Sequence, residues 1–443
     1  MKKKGSFSNK TGGFLLLAFL VFGAQTLFAQ TQKNRVIEKV FEGKTALWAG
    51  HRYGNIVLKK GAGTQIKAVL TISASSKNEA ELEQFLNHFE LNASEAPDNK
   101  VDIKTAEIIN CWNTVNGRST ISFRDGQSFS GIHKFDMTLE IYVPKLRYAT
   151  LENKYAGVKA EEGTAGNLEI ILFDGAVDAP GNFENLTIDI KYSKGVIGNF
   201  NNCNAQFYDS DVSLGNGGAL TVASKYSGLN IGKQQSLQLE CFDDNYKIGG
   251  VSGATKIADK YSEFTFLGNI GEADFSLYDS KVEGKNGGNV AVDSKYSKIG
   301  FQELNSLQFR SAFDDAVMLQ KVGVLAAVDS KYTEYKIAGL WKGIHFTASY
   351  DDDIKVETVG STFDALMFDG KYTDLTLPIP PSLKYEMDAS IKYGKLIYPS
   401  SNMESSNYKE KNEETAFQAK TKGASAGAPK FVVKSYDGVI RLE

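Results

Sequence analysis

The chain is poor in the residues that usually announce chemistry. Its 443 residues include only three cysteines and four histidines. Cys111, Cys203 and Cys241 are odd in number and far apart, which is neither a disulfide framework nor a zinc site. His51, His88, His133 and His345 are equally scattered. No HExxH, GxSxG or phosphate-loop motif occurs, so no zinc peptidase, serine hydrolase or nucleotide-hydrolase signature is present. No catalytic residue, metal ligand or cofactor is expected from these residues. Proline is scarce too, at eight, which leaves strands uninterrupted.

Long apolar runs are also missing, and the one near the start is short. Residues 1–29 read as an export signal. Lys2, Lys3, Lys4 and Lys10 make a basic start, Phe14 to Phe22 an apolar stretch, and Leu27-Phe28-Ala29 a cleavage point, with cleavage expected after Ala29. The apolar stretch falls short of the ~20 residues a spanning helix needs. No cysteine near that point offers a lipid attachment, and no transmembrane segment is expected in the mature chain. Without residues 1–29 there are 46 basic against 53 acidic residues, a net charge of −7. That balance excludes the basic stripe of a general nucleic-acid binder.

What the chain does have is glycine (42), phenylalanine (27), tyrosine (20) and a repeat. Lys-Tyr recurs at Tyr155, Tyr192, Tyr226, Tyr261, Tyr296, Tyr332 and Tyr372, at spacings of 37, 34, 35, 35, 36 and 40 residues, and again at Tyr393. Halfway between falls an aromatic residue followed by aspartate: Phe173-Asp174, Tyr208-Asp209, Phe242-Asp243, Tyr278-Asp279, Phe313-Asp314 and Tyr350-Asp351. The period is therefore 17–18 residues in two alternating flavours. Within each unit apolar residues alternate, then a polar corner follows, then a second short strand, and often a Gly or Asn turn. Anchors such as Val222 and Leu229, or Val292 and Ile299, lie seven apart. Three units (Ile188 to Val196, Phe309 to Val317, Phe346 to Ile354) need eight, which reads as a one-residue bulge.

A unit this short cannot bury its apolar side alone, but a stack of units can. The fold class expected is all-β: a single-stranded parallel β-helix, or β-solenoid, of about 14 coils of 17–18 residues. An antiparallel meander of hairpins would use the same alternation. In-register repetition of residue type favours the solenoid, because parallel stacking sets equivalent positions over one another.

Two corner columns follow. One is Lys191, Tyr208, Lys225, Phe242, Lys260, Tyr278, Lys295, Phe313, Lys331. The other is Tyr192, Asp209, Tyr226, Asp243, Tyr261, Asp279, Tyr296, Asp314, Tyr332. Alternation spreads like charges from ~4.8 Å to roughly 10 Å, near one Debye length. Shifting one flavour by a residue would instead align the rings as a continuous aromatic ladder. In either register the phrase reads first as architecture.

The expected organisation is a signal at 1–29, strands plus one helix (76–89) over 30–143, and the β-helix over 144–400. A flexible linker (401–430) and a C-terminal capping strand or coil (431–443) follow. Ser76 and Glu79 resemble a capping box, and Leu82, Phe85, Leu86 and Phe89 make one apolar helix face for docking on the core.

The stretch from Met137 to Glu161, MTLEIYVPKLRYATLENKYAGVKAE, resembles the start of the β-helix in the bacterial "putative adhesin" domains, the auto-transporter adhesin head-like proteins. HRYGNIVLK (His51 to Lys59) resembles their opening strand. The resemblance covers nearly all of the mature chain through short, tolerant motifs, with Ala156 where glycine is frequent. It implies a right-handed β-helix and an exported protein, many of the family being of the Bacteroidetes type; the helical N-terminal insertion departs from it. It carries over no catalytic residue.

The function expected is that of an exported, non-enzymatic, adhesin-like protein. It would bind or scaffold in the periplasm, on the outer-membrane surface or outside the cell. Its partner would be a polysaccharide or a surface protein. The alternative is a pectin-lyase-like polysaccharide enzyme using clustered acids. Asp243-Asp244 and Asp314-Asp315 are such clusters, and Asp351, Asp352 and Asp353 are the ligand candidates that depart most from the repeat. A calcium-dependent repeat-in-toxin fold is disfavoured, because GNGGALTV and GKNGGNVAV lack its aspartate.

Overall fold

The computed structural model describes residues 30–105 and 109–443; the export signal expected at 1–29 lies outside the described residues. Alternating apolar and polar residues fold most of the described residues into strands, one side chain in, the next out. The strands stack in parallel and in register. Leu186 lies beside Cys203, then Leu220, Leu237, Thr255, Ala273, Val290, Leu307, Leu325 and Ile344. The result is a β-solenoid of about 13 turns, close to the 14 that the period suggests. Its apolar faces share one interior that runs from Leu47 to Leu442.

Two of the three expected bulges are present. Arg310 is the extra residue opposite Val292 and Asp293, and the ladder slips again between Phe346 and Ser349. At Ile188 there is no corner bulge. Gly195 takes the anchor place between Val177 and Val212, and Val196 turns outward, 52% exposed. Only glycine fits there: φ is +153°, and a Cβ would meet the Val177 carbonyl oxygen at 1.9 Å.

The first coil, Ala46–Arg52 and Asn55–Lys60, pairs directly with Leu146–Lys154 and Val158–Ala160. The residues between them build a cap. Thr31–Glu42 pairs antiparallel with Gln65–Ser76, which pairs antiparallel with Lys134–Val143. The helix Glu79–Asn87 buries Leu82, Phe85 and Leu86, with the Phe85 ring against Phe89, Phe123, Phe129 and Phe135 at 5.2–5.9 Å. Its start differs from the expected one. Asn78 is the N-cap, its Oδ1 accepting from Glu81 N–H at 3.2 Å, while Ser76 Oγ accepts from Asn78 N–H. An asparagine carboxamide caps as well as a serine does and stands closer to the apolar face.

The C-terminal end departs from sequence order. After Asp374–Thr376, Pro378, Pro380 and Pro381 remove three ladder donors, and the chain leaves the stack. It returns at Glu386–Lys392, one rung beyond its neighbour. The vacant rung is filled by Lys430–Tyr436, which pairs in parallel with Ala365–Lys371 on one side and Glu386–Lys392 on the other. The segment 431–443, expected as an outer cap, is thus an inner rung. Residues 401–430, expected as a linker, carry the hairpin Met403–Lys411 and Glu414–Thr421, which covers the open edge of Glu386–Lys392. Its Lys and Glu residues suit a terminal edge, since charge discourages further pairing. Among the described residues no helix is long and apolar enough to cross a membrane.

Candidate binding groove

A sharp corner recurs along the stack. Among the described residues, sixteen such corners hold φ between +48° and +71°: nine tyrosines from Tyr53 to Tyr393 and seven aspartates from Asp174 to Asp437. Aspartate tolerates this left-handed region through local hydrogen bonds, whereas a bulky tyrosine does not favour it. The corner N–H donates onward to the next coil: Tyr192 to the Tyr208 carbonyl at 2.9 Å, Asp209 to Lys225 at 3.0 Å.

Backbone pairing sets Lys191 beside Tyr208, followed by Lys225, Phe242, Lys260, Tyr278, Lys295, Phe313 and Lys331. The corner residues beyond them alternate Tyr192, Asp209, Tyr226, Asp243, Tyr261, Asp279, Tyr296, Asp314 and Tyr332. The rings nevertheless meet, because they reach together from both columns. From Tyr155 through Phe173, Tyr192, Tyr208 and onward to Tyr393, consecutive rings are edge to face. Their centroids are 5.3–5.8 Å apart and their planes cross at 72–90°. Backbone register and ring register are separate facts here. Each such pair contributes about 0.5–1.5 kcal/mol, enough to offset the roughly 1–2 kcal/mol of a left-handed residue. At the C-terminal end, Tyr436-Asp437 lies between Tyr372 and Tyr393, so two Lys-Tyr corners adjacent in sequence are kept apart in space.

The next residue inward forms a column that was not recognised in the sequence, although three of its members, Asp244, Asp315 and Asp352, are among the candidate acids. It is Ser193, Ser210, Ser227, Asp244, Ser262, Ser280, Ser297, Asp315, Thr333, Asp352 and Thr373, all buried. Its oxygen accepts the N–H of the preceding coil's equivalent: Ser193 to Ser210 at 3.2 Å, Ser227 to Asp244 at 2.6 Å, Ser297 to Asp315 at 2.7 Å, Thr333 to Asp352 at 2.8 Å. A buried N–H without an acceptor is costly, so this ladder satisfies the inside of these corners, except at Ser262, whose N–H donates to Asp259 Oδ2 at 3.2 Å within its own coil. Its signal in the sequence is plain in hindsight: a Ser, Thr or Asp follows each corner from 193 to 373.

That ladder places the candidate acids. Asp243, Asp314 and Asp351 are corner residues, while Asp244, Asp315 and Asp352 point inward to backbone donors. Asp353 faces outward and pairs with Lys355 at 2.5 Å. Asp351, Asp352 and Asp353 therefore point in different directions and share no site. Burial holds the Asp315 carboxyl up at about 6, although Ser294, Ser297 and Phe313 donate to it and pull the other way. Burial raises Asp244, Asp259 and Asp352 as well. Among the described residues no group of His, Cys, Asp and Glu is arranged to hold a metal ion. Cys203 and Cys241 are buried, free thiols, and burial pushes Cys203 up to about 12, so it behaves as a small apolar residue.

Outside, the Lys/aromatic column forms one wall of an open groove of about 1130 Å³. It crosses nine coils from Asp189-Lys191 to Asp329-Lys331, roughly 40 Å at ~4.8 Å per coil. Two residues before each wall residue lies the outward-facing floor: Asp189, Gln206, Ala223, Glu240, Ala258, Ser276, Asp293. Beside the wall run corner tyrosines that are 40–47% exposed from Tyr192 to Tyr332. Lysine heads sit over some of these rings, as Lys295 does over Phe313 at 4.7 Å. Such contacts contribute about 0.5–1 kcal/mol when exposed.

No protein-family model and no curated protein matches the chain. Solved structures do. A "putative cell adhesion protein" from Clostridium sporogenes aligns at 8% identity over 93% of this chain and 99% of its own, with a TM-score of 0.20. A "putative adhesin" from Bacteroides fragilis aligns at 13% identity over 66% of this chain and 97% of its own, with a TM-score of 0.22. Another, from Parabacteroides merdae, aligns at 8% identity over 67% of this chain and 96% of its own, with a TM-score of 0.24. At these scores the whole molecules do not superpose.

Proposed function

We propose that this is an exported, non-enzymatic, adhesin-like protein that holds an extended polymer at the cell envelope or surface. The observation that carries the reading is the groove. It is long and lined on one side by a regular succession of ammonium groups and aromatic rings. A site for a small molecule is closed and concave, whereas a repeating wall suits a repeating ligand. The solenoid supplies the rigidity, since each coil is hydrogen-bonded to its neighbours on both sides. Export rests on the signal expected at 1–29. The buried partners of Asp244, Asp315 and Asp352 give the paired acids a role in building the corner, so the reading needs no chemistry from them.

The test compares the mature chain, 30–443, with a Tyr208→Ala/Tyr278→Ala variant for retention on envelope polysaccharide and surface-protein fractions. The wild type is expected to be retained and the variant to be lost, with both melting cooperatively. Equal retention of both proteins would move binding away from the groove. Retention of neither would end the binding role. Protease treatment of intact against lysed cells reports where the protein resides.

A further inference from the structure

We infer that the groove's ligand is a linear acidic glycan whose repeat is two sugars, one carrying a carboxylate and the other neutral. This rests on the binding role proposed above and names the ligand class for the same groove. The wall alternates throughout, and from Gln206 to Ser276 the floor alternates with it, whereas Lys191, Lys295 and Lys331 have an aspartate beneath them. Coils with a wall lysine at the groove's centre have alanine beneath it: Ala223 under Lys225, Ala258 under Lys260. Coils with a wall ring have a polar acceptor instead: Gln206 under Tyr208, Glu240 under Phe242, Ser276 under Tyr278. One type of coil offers an ammonium over a small apolar floor. The other offers an aromatic surface beside a hydrogen-bond acceptor.

The lysines at the groove's centre lack carboxylate counter-charges among the described residues, although Lys295 lies over the Tyr296 and Phe313 rings at 4.9 and 4.7 Å. At its ends Lys191 pairs with Asp189 at 3.5 Å and Lys331 with Asp329 at 3.1 Å. Asp293 is taken by Arg310 at 2.7 Å. Among the described residues, Lys225, Lys260 and Lys295 have no carboxylate partner. They recur every two coils, roughly 10 Å apart. Two pyranose units of an extended chain cover about that distance. A carboxylate on every second sugar would then meet an ammonium at each lysine coil. The neutral sugar between would place its C–H face on Phe242 or Tyr278 and its hydroxyls toward Glu240 or Ser276. A carboxylate on every sugar would set one against Glu240. An uncharged glycan would leave three ammonium groups without counter-charge, and an acidic peptide would leave the ring coils without a saccharide face.

The experiment is calorimetric titration of the mature chain with four probes of similar length. They are a hexasaccharide of alternating glucuronate and N-acetylglucosamine, a β-1,4-glucan hexasaccharide, an oligogalacturonate and an oligoglutamate. The alternating oligomer is expected to bind best and to weaken as salt rises. Lys260→Gln should weaken it about tenfold, the loss of one charge-assisted contact, with the melting curve unchanged. Phe242→Ser should weaken both the alternating oligomer and the neutral glucan. Equal binding of the neutral glucan, indifference to Lys260→Gln, or equal binding of oligoglutamate would overturn the inference. If all four probes fail while envelope material is still retained through Tyr208 and Tyr278, the ligand class is wrong and the binding role stands.

Discussion

At the scale of the residue, the corner tyrosine is held in a conformation it does not favour by rings on either side. Tyr296, at φ +60°, meets Tyr278 at 5.6 Å and Phe313 at 5.7 Å. Tyr296→Ala loses both contacts and keeps the backbone strain, so it should cost about 1–3 kcal/mol. Tyr296→Gly loses the same contacts but relieves the strain, and should be less destabilised by about 1 kcal/mol. Denaturant melts of the two variants decide this, and a Gly variant no better than Ala would show that the corner is unstrained. Asp315 makes a pH-dependent prediction. Its folded carboxyl is held at about 6 against an ordinary 3.8, so between these values the folded state binds the proton more readily than the unfolded one. Stability from this group therefore rises as pH falls through about 6 and is complete below about 4. Above pH 6 the carboxylate costs the fold on the order of 3 kcal/mol. His51 acts in the opposite sense: burial drops it to about 3, and acid favours its unfolded form. The comparison must therefore be with Asp315→Thr, which copies Thr333 in the same column. The change in Tm on going from pH 7 to pH 5 should be less favourable in the variant than in wild type, and equal changes would remove Asp315 as a contributor.

At the scale of the element, the last strand is an inner rung rather than an ending. Phe431, Val433, Ile440 and Leu442 are fully buried, each worth about 1.5–3 kcal/mol of burial. Deleting 430–443 takes the parallel partner from both Ala365–Lys371 and Glu386–Lys392. Limited proteolysis of the truncated chain should then cut within 377–421 while the coils before Lys371 stay protected. A peptide spanning 429–443 added in trans should restore protection. An unchanged cleavage pattern would mean that the cap holds without its inner strand. This rearrangement was invisible to a reading in chain order. The prolines at 378, 380 and 381 mark a break, but nothing local says that the chain re-enters one rung away. The hairpin at 403–421 was missed for a related reason. Its MESSNYKEK strand is too polar to announce itself, since it has only an edge to cover.

At the scale of the molecule, stacking turns a sequence period into surfaces. Every column of a solenoid repeats at coil spacing, so a two-flavour repeat becomes a wall that alternates every two coils, with a floor that follows it from Gln206 to Ser276. The rule that keeps like charges apart along the corner also sets the lysines at roughly 10 Å. Architecture and recognition need not compete for the same residues. The rings meet one another edge to face along the ridge, and the lysine heads beside them remain accessible to a ligand. Placement therefore makes Lys225, Lys260 and Lys295 the informative positions for binding assays and Tyr296 and Asp315 the informative positions for stability.

The sequence alone determined that the chain is a stack of short β-units, because period-two alternation and a 17–18-residue repeat have one economical way to bury their apolar faces. It also determined where the corners fall, because Lys-Tyr and aromatic-Asp mark all of them but the first, where Arg52 precedes Tyr53. Only the tertiary structure decided which way each corner acid points, that rings from two columns join in one ladder, and that the final strand enters the stack out of order. These are decided by neighbours in adjacent coils. Asp315 turns inward because the Ser297 N–H of the coil before needs an acceptor, and residues 430–436 find their rung because two strand edges would otherwise lie open.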